Sequence, residues 1–197
     1  MEAVKRLILV TSPPACGKTR LSRRLAAALR HVVYLDKDSL IPLSKQIFQV
    51  AGEPYNRSSD FFNQEIRDYE YEVIVDIGLE ALKYDDTVLI NAPFTREIRD
   101  MQYIDALKAR LAEAKAKLTV VWIVTDPEVC HQRMIKRNSD RDTWKLANWE
   151  EYIETVDFSI PEPLNTSDSE DDLILYHNST DEMADASFAR LLSILEA

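Results

Sequence analysis

The chain has 197 residues, 46% of them hydrophobic and 29% charged, with a formal net charge of -10. Those proportions belong to a folded globular chain rather than a disordered one, and no apolar run approaches the ~20 residues that a membrane-spanning helix needs. So much negative charge disfavours a broad nucleic-acid surface and favours a small substrate. The N-terminus runs into an apolar segment without a signal-peptide pattern, which predicts a cytoplasmic protein.

The first element is the stretch Leu7 to Thr19, LILVTSPPACGKT. An apolar run rich in β-branched residues, a Ser-Pro-Pro break and Gly17-Lys18-Thr19 predict a buried strand, a tight loop and a helix start. In loops of the form G-x-x-x-x-G-K-[ST], backbone N–H groups wrap phosphate oxygens, the lysine reaches the terminal phosphates and the Ser/Thr hydroxyl ligates Mg²⁺. Pro14, Ala15, Cys16, Gly17, Lys18 and Thr19 are therefore the expected nucleotide cradle. Ser12 and Ala15 stand where glycine is common, and glycine is used there because it accepts positive φ and lets backbone approach a ligand closely. Cys16, inside the loop and near a helix N-terminus, is either a small filler or an oxidation-sensitive thiol. The cysteines, Cys16 and Cys130, show no metal-ligand spacing, and His31, His131 and His177 are scattered, so no histidine metal site is expected.

A helix is predicted over Lys18 to Arg30, with Leu21, Leu25, Ala28 and Leu29 on one face. A second strand, Val32 to Leu35, ends in Asp36-Lys37-Asp38-Ser39. This segment reads in two ways: as a polar turn capping the next helix, with Asp38 or Ser39 as N-cap, or as catalytic acids at the strand edge where parallel sheets bind ligands. Phosphoryl transfer needs a carboxylate for the attacking hydroxyl and support for the Mg²⁺ shell. Asp38 and Asp36 can supply both. Residues 40–67 have an irregular pattern and read as a helical or loop insertion suited to binding an acceptor, with Arg57 either an anchor for an anionic group or an exposed loop residue.

A long helix from about Asp60 to Lys83 is expected to turn Phe62, Ile66, Tyr69, Val73 and Ile77 inward. The third strand, Thr87 to Ala92, ends in Asn91, a neutral stand-in for a metal-supporting aspartate. Arg96 then either reaches the acceptor or joins a solvated surface with Glu97 and Asp100. After a helix from Glu97 to Lys117, the run LTVVWIVT over Leu118 to Thr125 predicts a central strand buried on both faces. Pro127 opens a helix. On and beyond it lie Arg133, Lys136, Arg137 and Arg141, either as cations complementing a helix C-terminus or as a lid, about residues 133–147, neutralising charge on a triphosphate. A helix over Asn148 to Val156, a strand over Leu173 to Tyr176 and a helix over Asp181 to Leu195 complete the pattern. The βαβα alternation predicts a parallel sheet in one three-layer α/β/α domain spanning 1–197.

Taken together, SPPACGKT, LDKDS and the arginines at 133, 137 and 141 resemble the small P-loop kinases of the P-loop NTPase class. The likeness is greatest to the branch with the kinase part of polynucleotide kinase, the zeta-toxin kinases and chloramphenicol phosphotransferase. The resemblance implies a five-stranded parallel sheet of nucleoside-monophosphate-kinase type, Mg²⁺ and ATP, and a hydroxyl acceptor. It implies Asp38 as base, Lys18, Asp36, Arg137 and Arg141 as the other catalytic groups, and Thr19 with Asp36 at the metal. Arg133 and Arg137 fall to the nucleotide and Asp38 to the acceptor, for which Arg57 and Arg96 are candidates by their position in the chain alone. Ile41 occupies the place of a basic residue that the branch carries after its LDKDS-like motif. The expected activity is phosphotransfer from ATP to a hydroxyl of a small molecule. An ATP-binding regulator with little turnover and a polynucleotide 5′-kinase remain as alternatives, and the oligomeric state is left open.

Overall fold

Apolar runs flanked by polar turns condense here into β1 (Lys5–Thr11), β2 (Val32–Asp36), β3 (Thr87–Asn91), β4 (Ala116–Val124) and β5 (Leu173–His177). In this computed structural model, which describes residues 4–139, 142–164 and 172–196, the strands form one sheet in the order β2-β3-β1-β4-β5. Every neighbouring pair is parallel. The helices are α1 (Lys18–Ala28), α2 (Ile41–Ala51), α3 (Asp60–Glu65), α4 (Arg67–Ala81), α5 (Met101–Glu113), α6 (Pro127–Arg137), α7 (Thr143–Ala147), α8 (Trp149–Thr155) and α9 (Asp181–Leu195).

Alternation along β1 creates the three layers. Leu7 and Leu9 face one core with Ile74 and Val75 of α4 and Ile104, Leu107 and Leu111 of α5. Ile8 and Val10 face the other, with Leu21 and Leu25 of α1, Cys130 of α6 and Phe188 and Leu191 of α9. Because β1 pairs with β3 on one side and β4 on the other, its C-terminal end opens at the middle of the sheet edge, where chain crossovers diverge and ligands bind. Helix starts follow local chemistry: Asp126 accepts from the Glu128 amide ahead of Pro127, and Thr180 accepts from the Met183 amide ahead of α9.

Several expectations are corrected. The helix foreseen from Asp60 to Lys83 divides at Ile66, where φ is -128° and ψ -45°. Phe62 and Ile66 turn to a separate cluster with Phe48, whereas the following turns pack on the sheet, and one straight helix cannot face both. Past the break the buried stripe of α4 is Tyr71, Ile74, Val75 and Gly78, while Tyr69, Val73 and Ile77 are exposed. At Gly78 a Cβ would lie 3.1 Å from the Ile90 side chain, so this face lies directly on β3. Glu97–Arg99 is a short 3₁₀ turn, α5 restarts under an Asp100 cap, and the left-handed Lys115 (φ 52°) lets β4 begin at Ala116. Of the two readings of residues 40–67, helical or loop, α2 and α3 follow the helical one, and α7 is an element the periodicity did not reveal. Met183, expected inward, is 50% exposed. No helix among the described residues is long and apolar enough to cross a membrane.

The corrected phase of α4 has a direct test. Ile74→Ala should lower unfolding stability in urea by about 2–5 kcal/mol, because it leaves a cavity in the core. Its neighbour Val73→Ala should change stability by less than about 1 kcal/mol.

Candidate active site

The loop leaving β1 is built on two left-handed residues, Ala15 (φ 63°) and Gly17 (φ 101°). Ser12 is not among the positive-φ residues. It is buried, and its hydroxyl donates to the Pro13 carbonyl at 2.8 Å, so the serine replaces glycine without backbone strain. The conformational cost falls on Ala15, where a left-handed alanine costs about 1 kcal/mol. Gly17 is required twice over: its φ is left-handed, and a Cβ there would lie 2.4 Å from Asn178 Nδ2.

Asn178, immediately after β5, was not anticipated as a site residue. Its Nδ2 donates to the Cys16 carbonyl at 2.5 Å, which Thr125 Oγ1 also approaches at 3.3 Å. Its own amide donates to the Val124 carbonyl at 2.9 Å, and its carbonyl accepts from Arg133 at 2.7 Å. The sequence signal, a polar residue at a strand's C-terminal end, reads equally well as an ordinary turn.

Lys18 Nζ donates to the carbonyls of Ser12 (2.9 Å) and Pro13 (3.1 Å) and to the Ser12 hydroxyl (3.3 Å). Burial lowers its pKa to about 8; the charges of Cys16 and Asp38 oppose that shift and that of Arg137 adds to it. Asp38 and Arg137 thus each lie within electrostatic reach of Lys18. Behind the loop, Cys16 Sγ lies 3.3 Å from Cys130 Sγ of α6, both sulfurs buried. The Cys130 hydrogen bond brings the Cys16 thiol down to about 7 against the opposing effect of burial, with Lys18 helping, while Cys130 is pushed up.

A second cluster forms where β2 and β3 end in register, Asp36 beside Asn91. Asn91 Nδ2 donates to Asp36 Oδ2 at 3.1 Å and to Thr19 Oγ1 at 3.3 Å. Asp36 Oδ2 also accepts from Tyr34 at 3.0 Å, while Oδ1 accepts from the Asp38 amide at 3.0 Å and caps the 3₁₀ turn Lys37–Leu40. The cap expected from Asp38 or Ser39 is not formed, since α2 follows Leu40 with no side-chain cap; Asp36 instead caps the 3₁₀ turn before it. Hard oxygen atoms of Thr19 and Asp36 converge on one amide, and the buried Asn91 Oδ1 has no hydrogen-bond partner among the described residues. That donor set fits a Mg²⁺ that keeps most of its waters. Among the described residues no cluster of His, Cys, Asp and Glu offers a fuller cage.

Asp38 projects beside this cluster with its side chain 54% exposed, and Lys37 Nζ lies 3.8 Å from its carboxylate. Lys37 is itself buried against Glu70 of α4 at 2.8 Å. Glu70 also takes a bidentate pair from Arg57, both contacts 2.7 Å, and a hydrogen bond from Ser44. Burial alone would raise the Glu70 carboxyl, but the Arg57, Lys37 and Ser44 hydrogen bonds overcome it and hold its pKa at about 2. Arg57 is thus committed to a buried carboxylate and lies 4.4 Å over the Phe62 ring. Sequence reasoning did not single out Glu70; YEYEVIV reads as one helical face among others.

Arg96 is exposed in the turn after β3. Arg133 is tied to Asn178, and Arg137 holds the buried Asp142 through Nε (2.8 Å) and a terminal nitrogen (2.5 Å). Arg141 lies outside the described residues.

Residues 7–158 match the model of a family described as the AAA domain. The chain belongs to the AAA domain family. No curated protein matches this sequence. Among solved structures, this AAA domain is similar over 99% of its length to 98% of a gluconokinase from Sinorhizobium meliloti, at 17% identity and a TM-score of 0.55. A shikimate kinase from Bacteroides thetaiotaomicron matches 98% of this chain over 99% of its own, at 14% identity and a TM-score of 0.53. The Mycobacterium tuberculosis APS kinase CysC, solved with AMPPNP and APS, matches with 98% of each chain covered, 13% identity and a TM-score of 0.54. At these identities the likeness establishes the fold alone, a three-layer α/β/α arrangement around a five-stranded parallel sheet that this chain shares with those kinases.

Three outcomes follow from the site of this AAA domain. Ala15→Gly should stabilise the fold by up to about 1 kcal/mol, since the left-handed φ carries no penalty for glycine. By the same reasoning Gly17→Ala should be strongly destabilising, and thermal unfolding reads both. Glu70 has a depressed folded-state pKa, so its contribution is full above its ordinary value of 4.5 and is lost as pH falls towards about 2. Glu70→Gln should cost about 3 kcal/mol near pH 7, and its difference from the wild type should shrink below pH 4.5.

Proposed function

We propose that the protein is an ATP-dependent phosphotransferase that moves the γ-phosphoryl group to a hydroxyl of a small molecule. The observation that carries this reading is the Asn91 amide joining Thr19 of the phosphate loop to Asp36 of the acidic β2 end. It sets a loop suited to a triphosphate beside a strand end suited to an acceptor. The kinase-like fold supports it, and solved neighbours include enzymes named for gluconate, shikimate and APS.

In this reading the loop amides and Lys18 receive the phosphates, and Lys18 exchanges three neutral acceptors for charged oxygens. Thr19 and Asp36, with Asn91 between them, would hold a hydrated Mg²⁺, which would supply positive charge to offset that of the phosphates. Asp38, the more exposed acid, accepts the proton of the attacking hydroxyl. Lys37, anchored by Glu70, limits where that carboxylate can sit. Arg133 holds the nucleotide side through Asn178. Arg137, released from Asp142, and Arg141 close on the transferring group as part of a lid over residues 133–147, and charge stabilisation supplies much of the rate. The acceptor enters over residues 40–67, with Arg96 at its rim and Arg57 shaping its wall from the Glu70 pair. The reading places the chain as one domain in the cytoplasm, near the polynucleotide kinase, zeta-toxin and chloramphenicol phosphotransferase branch. Its charge of -10 favours a small acceptor over an oligonucleotide.

A screen of sugars, nucleosides and antibiotics for acceptor-dependent ADP release tests this directly. On an acceptor so found, Lys18→Ala and Asp38→Asn should each lower kcat by about 100-fold or more, with Asp38→Asn still binding Mg·ATP. Full activity in Asp38→Asn would refute the base assignment. Tight Mg·ATP binding with no acceptor-dependent ADP would instead indicate a nucleotide-binding regulator, and label on an oligonucleotide end a polynucleotide kinase.

A further inference from the structure

The phosphate loop carries a second reactive feature that phosphoryl transfer does not use. Cys16 sits between the left-handed residues Ala15 and Gly17, and its sulfur is 3.3 Å from that of Cys130, 114 residues on in α6. These are the only two cysteines in the chain. A pair drawn from a loop and a distant helix, meeting sulfur to sulfur in the core, needs each sulfur to move only a fraction of the roughly 1.3 Å that separates this contact from a disulfide bond of about 2.05 Å. We propose that Cys16 and Cys130 form an intramolecular disulfide under oxidation, and that this bond ties the phosphate loop to α6 and lowers nucleotide affinity.

The chemistry balances with a small peroxide as oxidant. The Cys16 thiolate attacks one peroxide oxygen, the O–O bond breaks and hydroxide leaves, giving a sulfenic acid at Cys16. The Cys130 sulfur then attacks the Cys16 sulfur; the S–O bond breaks, and the departing hydroxide takes the Cys130 proton as water. Two thiols lose two electrons in total and the peroxide gains them. Cys16 is the residue to react first because the Cys130 hydrogen bond and the nearby Lys18 ammonium both stabilise its thiolate. Cys130, whose thiol is held protonated, resolves the sulfenic acid.

The effect on the loop follows from what surrounds Cys16. Its carbonyl is fixed by Asn178 and Thr125, and Lys18, two residues on, must swing from the Ser12 and Pro13 carbonyls to reach a phosphate. Drawing the Cys16 sulfur towards α6 turns the peptide units on either side of it, the ones whose N–H groups would face the phosphates. A small oxidant is required, since both sulfurs are buried beneath the loop. The nucleotide part rests on the proposed function; the disulfide part does not.

The full-length reduced protein is treated with hydrogen peroxide, remaining thiols are alkylated after denaturation, and intact mass and a non-reducing digest are recorded. The expected result is a monomer two hydrogens lighter, unalkylated, with the peptides of Cys16 and Cys130 joined. Mg·ATP binding, measured by calorimetry, should fall at least tenfold on oxidation and return with dithiothreitol. Cys130→Ala and Cys130→Val, two replacements that guard against a folding defect in either, should bind Mg·ATP like the wild type and yield no internal crosslink. Two alkylated thiols, a disulfide-linked dimer, or Cys16 oxidised further without a crosslink would overturn the disulfide. A crosslinked protein that binds Mg·ATP as the reduced form does would overturn its effect on the loop. Absence of Mg·ATP binding in the reduced protein would count against the proposed function, while the mass measurement would still decide the disulfide.

Discussion

The structure depends on one carbonyl being held in place. The Cys16 carbonyl lies at the turn between Ala15 and Gly17, and Asn178 grips it from the far end of the chain while Thr125 approaches from the end of β4. This contact joins the first loop to the last strand and leaves no room for a side chain at Gly17. The parallel order of the sheet makes the grip possible, since β1, β4 and β5 are consecutive neighbours whose C-terminal ends lie side by side.

Around that loop the cations differ in how easily they can leave their partners. Lys18 rests on neutral acceptors, and such hydrogen bonds are worth only about 0.5–1.5 kcal/mol each in net terms. A phosphate can displace them. Arg57 and Lys37 face a buried carboxylate, where removing one partner costs about 3–5 kcal/mol. They remain as scaffold, and their work is to hold the wall next to Asp38. Arg137 is intermediate: its partner Asp142 is wholly buried, but the arginine itself is partly exposed. These four cations are thus sorted into movable and fixed ones by the polarity and burial of what they touch.

The same sorting separates the two acids that end β2. Asp36 is occupied on both oxygens, by Tyr34 and Asn91 on one and by the Asp38 amide on the other, which fixes its direction. Asp38 is anchored through its backbone and reaches outward. Two acids of the same type, two residues apart, are therefore held differently: one has both oxygens hydrogen-bonded, and the other keeps a side chain that is 54% exposed.

Much of this was legible in the chain itself. The strands, the phosphate loop and the βαβα order follow from local pattern, because a buried parallel strand must be a continuous apolar run and a phosphate loop must be small and followed by lysine. Asp36, Asp38 and Asn91 could be placed at strand ends for the same reason. What local pattern could not reach was anything decided by a distant partner. Ser12 escapes strain through a conformation that sequence does not encode, α4 faces the sheet with residues set by the break at Ile66, and Arg57 looked free until Glu70 was beside it. Asn178, Glu70 and the meeting of Cys16 with Cys130 have no signature of their own. They arise when the sheet order 2-3-1-4-5 brings segments far apart in the chain to one edge, and only the folded packing determines which side chains then touch.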